Sequence, residues 1–587
     1  MKTITTAFLI VLITTSIYVA LLVDVKYCSG KLRKFTSQSE LTAFLETPKK
    51  WPASSHLFTS NVQNMRTLDV SGYANEYSQT NVQVQGVDEA DIVKTDGEYI
   101  YVIVKDKIFI VRAYPPEEAS VLSKVVVAGE LKQIFINEDR LVAFYENSTH
   151  DGIQCAIGVY DVSDRTDPRL QREIKVEGSY VGSRMIGDYT YVLVQEYAGI
   201  RESGAILPQI CFGGDNRTIP AHEIYFSDIT DYSYRYTTIV ALNVKDDVEK
   251  PAYLTMLLGS SATMYVSAES IYLAISYEGK SILHLIRIEN GRISHVADGK
   301  VPGTVLNQFS MDEYEGYFRV ATTSEMTTWF EPRPMLQKQN NLFVLSMNLA
   351  IVGKIEGIAP GEQIHSVRFM DSVCYLVTFR KVDPFFAINL SNPDSPRIIG
   401  ELKITGYSDY MHPYDKNHVI GVGKETLAAD GGDFSWYQGV KISVFDVTDM
   451  SEPKELAKYE IGDRGTQSPV LGDHKAFLFD RERNLLALPV SVAKINESQY
   501  LGGVPANAWG DTVWQGAYVF TVSLVLNEVI ALRGTITHIE DGNVHDGSHY
   551  VNRALFIDDV LYTISESKIK MNSLQDLSTI GELSLNV

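Results

Sequence analysis

The chain has 587 residues, 45% of them hydrophobic, with 41 Gly and 20 Pro. That is apolar enough for a large folded body and too poor in Gly and Pro for a disordered or collagen-like chain. Lys and Arg number 52 against 73 Asp and Glu, a formal charge of −21, which excludes the basic surface of a nucleic-acid protein, so no such partner is expected. Four Cys exclude a disulfide scaffold and a Cys-built zinc module, and 33 Tyr against 5 Trp favours strands over helices.

Residues 1–3 form a short tail, read as cytoplasmic. Residues 4–23, ITTAFLIVLITTSIYVALLV, carry no charge and as a helix would span about 30 Å, the thickness of a bilayer core. No small-residue exit site precedes Cys28, so an uncleaved membrane anchor is expected, with a cleaved signal segment as the alternative. Lys26, Lys31, Arg33 and Lys34 follow the span while Lys2 precedes it. This distribution does not itself favour export, but large following domains translocate despite such charges. Sequons at Asn147, Asn216, Asn389 and Asn496 fit an extracytoplasmic location for the bulk of the chain, secreted if the segment is cleaved. Residues 24–80 read as a short helix and a polar stalk. Within 31–49, Ser37 and Glu40 make a capping box, and Leu41, Phe44 and Leu45 share a face.

From residue 81 to 587 the chain repeats. A polar turn residue stands three before a strand residue at Glu98/Tyr101, Asp139/Val142, Asp188/Tyr191, Glu269/Tyr272, Glu315/Phe318 and Asp559/Tyr562, with looser copies at Tyr375, Ile420 and Leu485. The shorter spacings match the 40–45 residues of a four-stranded propeller blade, and the longer ones match that unit with insertions. Each unit holds several β-rich runs, and no 10–15-residue helical pattern separates them. The expected fold class is all-β: a single large β-propeller of eight or nine four-stranded blades, preceded by a transmembrane helix and a short amphipathic helix.

The stretches NVQVQGVDEADIVKTDGEYIYVI (81–103), HPYDKNHVIGVGK (412–424), VFDVTDMSEPKELAKYEIGDRGT (444–466) and RALFIDDVLYTIS (553–565) resemble the signatures of an archaeal and bacterial family of exported β-propeller proteins, distantly related to WD repeats. No WD dipeptide occurs, so the WD link concerns fold alone. The resemblance implies an exported propeller and supplies no catalytic residue, because the family has no established activity.

Catalytic motifs fail on inspection. Gly421, Gly423 and Lys424 lack the upstream glycine of a phosphate loop, since His418 stands there, and His222-Glu223 lacks the second histidine of a zincin. Cys155 and Cys211 are the possible disulfide in an oxidising compartment, with two separate thiols as the alternative. What remains is geometry. Long additions at 198–237, 324–340, 425–438 and 491–515 all fall between the second and third strands of their units, hence on one face of a propeller. They contain Trp329, Trp436, Trp509 and Trp514, and large aromatics on a loop-built face suit a binding surface. The connections leading into first strands add Glu362, His365, Asp409, Asp463 and Arg464 to that face. His538, His545, Asp546 and His549 are candidate ligands for zinc or another divalent ion, and Asp88 and Asp91 for calcium. The expected function is a membrane-tethered binding or scaffold module for a protein, peptide or glycan. The alternatives are a hydrolase or lyase with an acid–base site at the axis mouth, and a structural component of the cell envelope.

Overall fold

Runs such as YIYVIV and IYLAIS, rich in β-branched and aromatic residues, fold as the strands Tyr99–Val104 and Ser270–Tyr277. The computed structural model describes residues 30–47, 76–150, 152–229, 233–259, 262–330, 333–379, 383–429 and 434–585. These build nine successive antiparallel sheets of four strands each, here blades 1–9, at 93–126, 130–177, 179–258, 262–302, 311–358, 363–404, 407–461, 478–536 and 553–584. Blades 2 and 3 carry extra edge strands. Within a blade, strands a to d pair in chain order. Second and third strands are buried on both faces, as in Tyr189–Tyr197 and Lys107–Arg112, whereas fourth strands such as Lys454–Ile461 and Thr579–Ser584 alternate and lie outermost. The nine repeat residues that end with Tyr562 all fall on second strands.

Nine hydrophobic clusters hold the sheets together, one between each pair of neighbours, including one between blades 9 and 1. The ring is therefore a closed β-propeller, sealed by packing and not by a shared strand. Four repeat tyrosines show why that residue recurs. Each is buried between blades and bonds the next one: Tyr101 accepts from Arg165, Tyr191 from the Gly291 N–H, Tyr272 donates to Glu313, and Tyr562 donates to the Ala113 carbonyl at 2.7 Å. The last bond closes the ring. Tyr562→Phe should leave the Ala113 carbonyl short of a partner and cost about 1–2 kcal/mol, read as a lowered denaturation midpoint at unchanged secondary structure.

The amphipathic helix is Gln38–Glu46, capped by the Ser37 hydroxyl on the Glu40 N–H. The reciprocal arm of the box differs: Glu40 accepts from the Thr36 N–H at 2.8 Å. Residues 30–47 are fastened to the propeller, and of the polar stalk expected at 51–80 residues 51–75 lie outside the described residues. Strand Arg33–Lys34 pairs with Tyr225–Phe226, Phe35 stacks on Phe226 at 3.6 Å, and Leu41 and Leu45 enter the cluster between blades 2 and 3. Apolar residues on one helix face were legible as such, but their partners, such as Phe226 against Phe44, lie far along the chain and were not. Among the described residues no helix is long and apolar enough to cross a membrane; the span at 4–23 lies outside them.

Candidate functional site

The centre of the ring is filled by the chain's own signature stretch. Before entering blade 1, residues 76–91 run across the inner strands. Ser78 bonds Phe556 of blade 9, and Asn81 donates to Tyr410 of blade 7 and to the His474 carbonyl ahead of blade 8. The Gln83 amide donates to the Met311 carbonyl of blade 5 and to the Gln308 carbonyl just ahead of it. After Gly86, at φ +76°, the chain returns to pair with blade 3 through Asp88–Glu89 and bridges Ile134 of blade 2 through Asp91.

Three carboxylates of this plug meet cations on the inner strands. Asp88 takes Lys94 at 2.7 Å, Glu89 faces Arg184 at 3.6 Å, and Asp91 receives the Arg553 guanidinium through both oxygens at 2.8 and 2.9 Å. Arg553 also pairs with Asp473. Asp88 and Asp91, expected to share an ion, instead each face a different protein cation, which accounts for the acidic string DEAD as ring-centre pairing. Full burial pushes the Glu89 carboxyl up to about 7, against the pull of Arg184 and Lys475. A polar pocket of about 130 Å³ lies beside the plug, lined by Thr80, Asp88, Lys94, Asp96, Lys475 and Arg553.

The histidine loop before blade 9 does not assemble either. His538 is buried and spends both ring nitrogens on the Ser565 and Thr563 hydroxyls at 2.9 Å. His549 pairs with Asp546 at 3.3 Å instead, and burial pushes the His538 imidazole down to about 3. Cys155 and Cys211 are corrected to separate thiols. Cys155 pairs in register with Val176 while Cys211 pairs with Lys175, so one strand lies between them and they project to opposite faces.

All four insertions do join second to third strands, but they serve different ends. The first folds outwards: Gln209–Phe212 extends the outer edge of blade 2, and Tyr225–Phe226 extends that of blade 3, covering two strand edges. The hairpin Tyr317–Phe330/Arg333–Ser346 of blade 5 carries Trp329, whose side chain lies outside the described residues. Those of blades 7 and 8 meet each other, with the Gln438 amide donating to the Ala506 carbonyl at 2.9 Å.

Their meeting point is Arg464. Its guanidinium carbon lies 4.5 Å from the ring centres of Trp436 and Tyr437 and 5.3 Å from that of Trp509. The residue is 7% exposed, and its Nε and Nη1 are buried without a hydrogen-bond partner. Trp509 is 55% exposed, and Phe434 packs edge-on against Trp436. Neighbouring Asp463 accepts from Lys494 and the Ile495 N–H. Trp514 is not part of this surround; it packs on Tyr518 within the cluster between blades 7 and 8.

Towards blade 6 the same face holds His365, 3.7 Å from Asp409 and flanked by Tyr407 and Phe379, while Glu362 accepts from Thr378 at 2.5 Å. Lys424 donates to the Thr466 carbonyl there, and burial brings its ammonium down to about 8 despite Asp409. Tyr437, Tyr407 and Phe379 carry no motif in the sequence, and Lys424 stood out there only within the failed phosphate loop. Tyr437 alone carried a signal, as the immediate neighbour of Trp436.

Comparison with known proteins gives a consistent setting. A family model described as "Beta propeller domain" matches residues 77–577. An uncharacterised protein of Archaeoglobus fulgidus is 29% identical, covering 87% of this chain and 85% of that one. An uncharacterised protein of Methanocaldococcus jannaschii is 27% identical over 91% of this chain and 88% of its own. A crystal structure of a eukaryotic initiation factor aligns with 63% of this chain and 87% of that chain at 9% identity, with a TM-score of 0.29.

Proposed function

The chain belongs to the β-propeller domain family, and we propose that it is a membrane-tethered, outward-facing binding module that holds a protein, peptide or glycan on the face over blades 6–8. The observation that carries the reading is the aromatic surround of Arg464. Three rings from two insertions hold a desolvated guanidinium, an interaction worth roughly 2 kcal/mol when dry, and so fix a rigid platform on which Trp509 stands exposed. Rigid, amphipathic aromatics beside polar groups are what peptide and sugar recognition both use. The uncharged span at 4–23 and the four sequons support the tether and the outward placement.

Glycan and peptide arrays probed with the full chain in detergent test the reading. A ligand found there should lose at least tenfold in affinity on the double change Trp436→Ala and Trp509→Ala, while the denaturation midpoint moves less than for a core truncation. Binding that survives the double change would place recognition elsewhere. A second reading, an acid–base hydrolase or lyase, draws on Lys424, Asp409 and His365 meeting at this face. Recovery of the bound ligand chemically altered would favour it; recovery unchanged would favour the binding module.

A further inference from the structure

Blade 4 carries three polar side chains that the fold has brought together on its outer half. His284 lies on strand Lys280–Glu289 and Asp298 on strand Arg292–Pro302, where the two are direct cross-strand partners on one face. In a regular strand His295, three residues from Asp298, would point to the other face. It does not, because a bulge falls there: Ala297 pairs with Leu285 and His295 with Ile286, leaving Val296 unpaired and 51% exposed. The extra residue turns His295 back towards Asp298. His284 Nδ1 then lies 2.8 Å and His295 Nε2 2.7 Å from the same Asp298 oxygen, Oδ1. The other oxygen, Oδ2, is held by the Leu32 N–H at 2.8 Å, which fixes the carboxylate plane.

Two nitrogens and one carboxylate oxygen, all within 4.8 Å of one another, form the only such convergent group of His, Cys, Asp or Glu among the described residues. The His284 ring is fully buried, and its far nitrogen Nε2 has no hydrogen-bond partner, so Nδ1 is the atom of that ring with something to bind. His295 is partly exposed, giving solvent access on one side. A carboxylate oriented by a backbone N–H, together with two imidazoles, has the composition of a three-ligand site for a first-row divalent ion, with a further position left for water.

We propose that His284, His295 and Asp298 bind one divalent transition-metal ion of the zinc class. On binding, the lone pairs of His284 Nδ1 and His295 Nε2 and the Oδ1 oxygen turn to the ion. Each imidazole stays neutral with its proton on the other nitrogen, and any proton carried by a charged ring is released to solvent. The ion would sit beside the segment at residues 30–34, where the chain runs on to its amino-terminal span. Gly30 is fastened there by Asp228 and Leu32 by Asp298 itself.

The test uses the full-length protein in detergent, stripped with a chelator and titrated with Zn²⁺ against a chromogenic competitor. The expected result is one high-affinity Zn²⁺ per chain. His295→Gln should weaken it at least a hundredfold, while paired His545→Asn and His549→Asn changes in the distant loop leave it unchanged. Should His295→Gln fail to fold, the visible spectrum of Co²⁺ bound to the wild-type chain decides: low-coordinate nitrogen and oxygen ligation without a thiolate charge-transfer band supports the site. Absence of stoichiometric Zn²⁺ binding, binding indifferent to His295→Gln, or a Co²⁺ spectrum of fully hydrated or thiolate-bound metal would overturn it.

Discussion

Replacing Arg553 by Ala is expected to destabilise the propeller by about 3–5 kcal/mol, the largest effect of any single polar substitution considered. The guanidinium is buried, bonds both oxygens of Asp91, and also reaches Asp473, so its loss strands the buried Asp91 and leaves Asp473 only its contacts to Lys475. Asp91→Ala should cost less, because Arg553 then keeps Asp473. The double variant should be less harmful than the sum of the two, since the second change removes a charge that the first left unpaired. Denaturant midpoints for the four proteins of the cycle measure this. Additive effects would mean that plug and ring are not coupled through this pair.

Glu89 gives the second large effect, a dependence of stability on pH. Its carboxyl is raised from 4.5 to about 7 in the folded chain, chiefly by burial. The folded state therefore binds the proton more tightly than the unfolded state. The contribution is fully present below about pH 4.5 and is lost as pH rises through about 7, amounting to roughly 3 kcal/mol across that window. Glu89→Gln keeps an acceptor for the Gln83 N–H and cannot ionise, so its stability relative to wild type should climb over the same range. Parallel stability curves for the two proteins between pH 4 and 8 would show that Glu89 ionises freely in the fold.

The architecture was legible because it is written in short-range terms. A polar turn three residues before a strand residue is a local signal, and its recurrence located all nine second strands. Helix Gln38–Glu46 announced itself through Ser37 and Glu40 for the same reason. Long-range matters were not legible. Nothing near Asp88, Glu89 and Asp91 shows that Lys94, Arg184 and Arg553 will surround them, since two of those cations lie far along the chain. The DEAD string therefore looked like a solvent-facing ion site. Spacing could place Trp436, Trp509 and Trp514 in insertions on one face, but whether each ring turns outwards depends on local packing. Trp436 and Trp509 meet at Arg464, and Trp514 turns onto Tyr518. His284, His295 and Asp298 escaped because only the bulge at Val296 aligns them, and an unpaired residue leaves no mark on periodicity.

The most direct test of the proposed recognition face is photo-cross-linking in intact cells of the native host. A photoreactive residue is placed at Trp509 in one protein and at Asp139, in a first-to-second strand turn on the opposite face, in another. One defined adduct is expected from position 509, lost when Arg464→Ala loosens the surround, and none from position 139. Adducts of equal yield from both positions, or from position 139 alone, would contradict the proposed face.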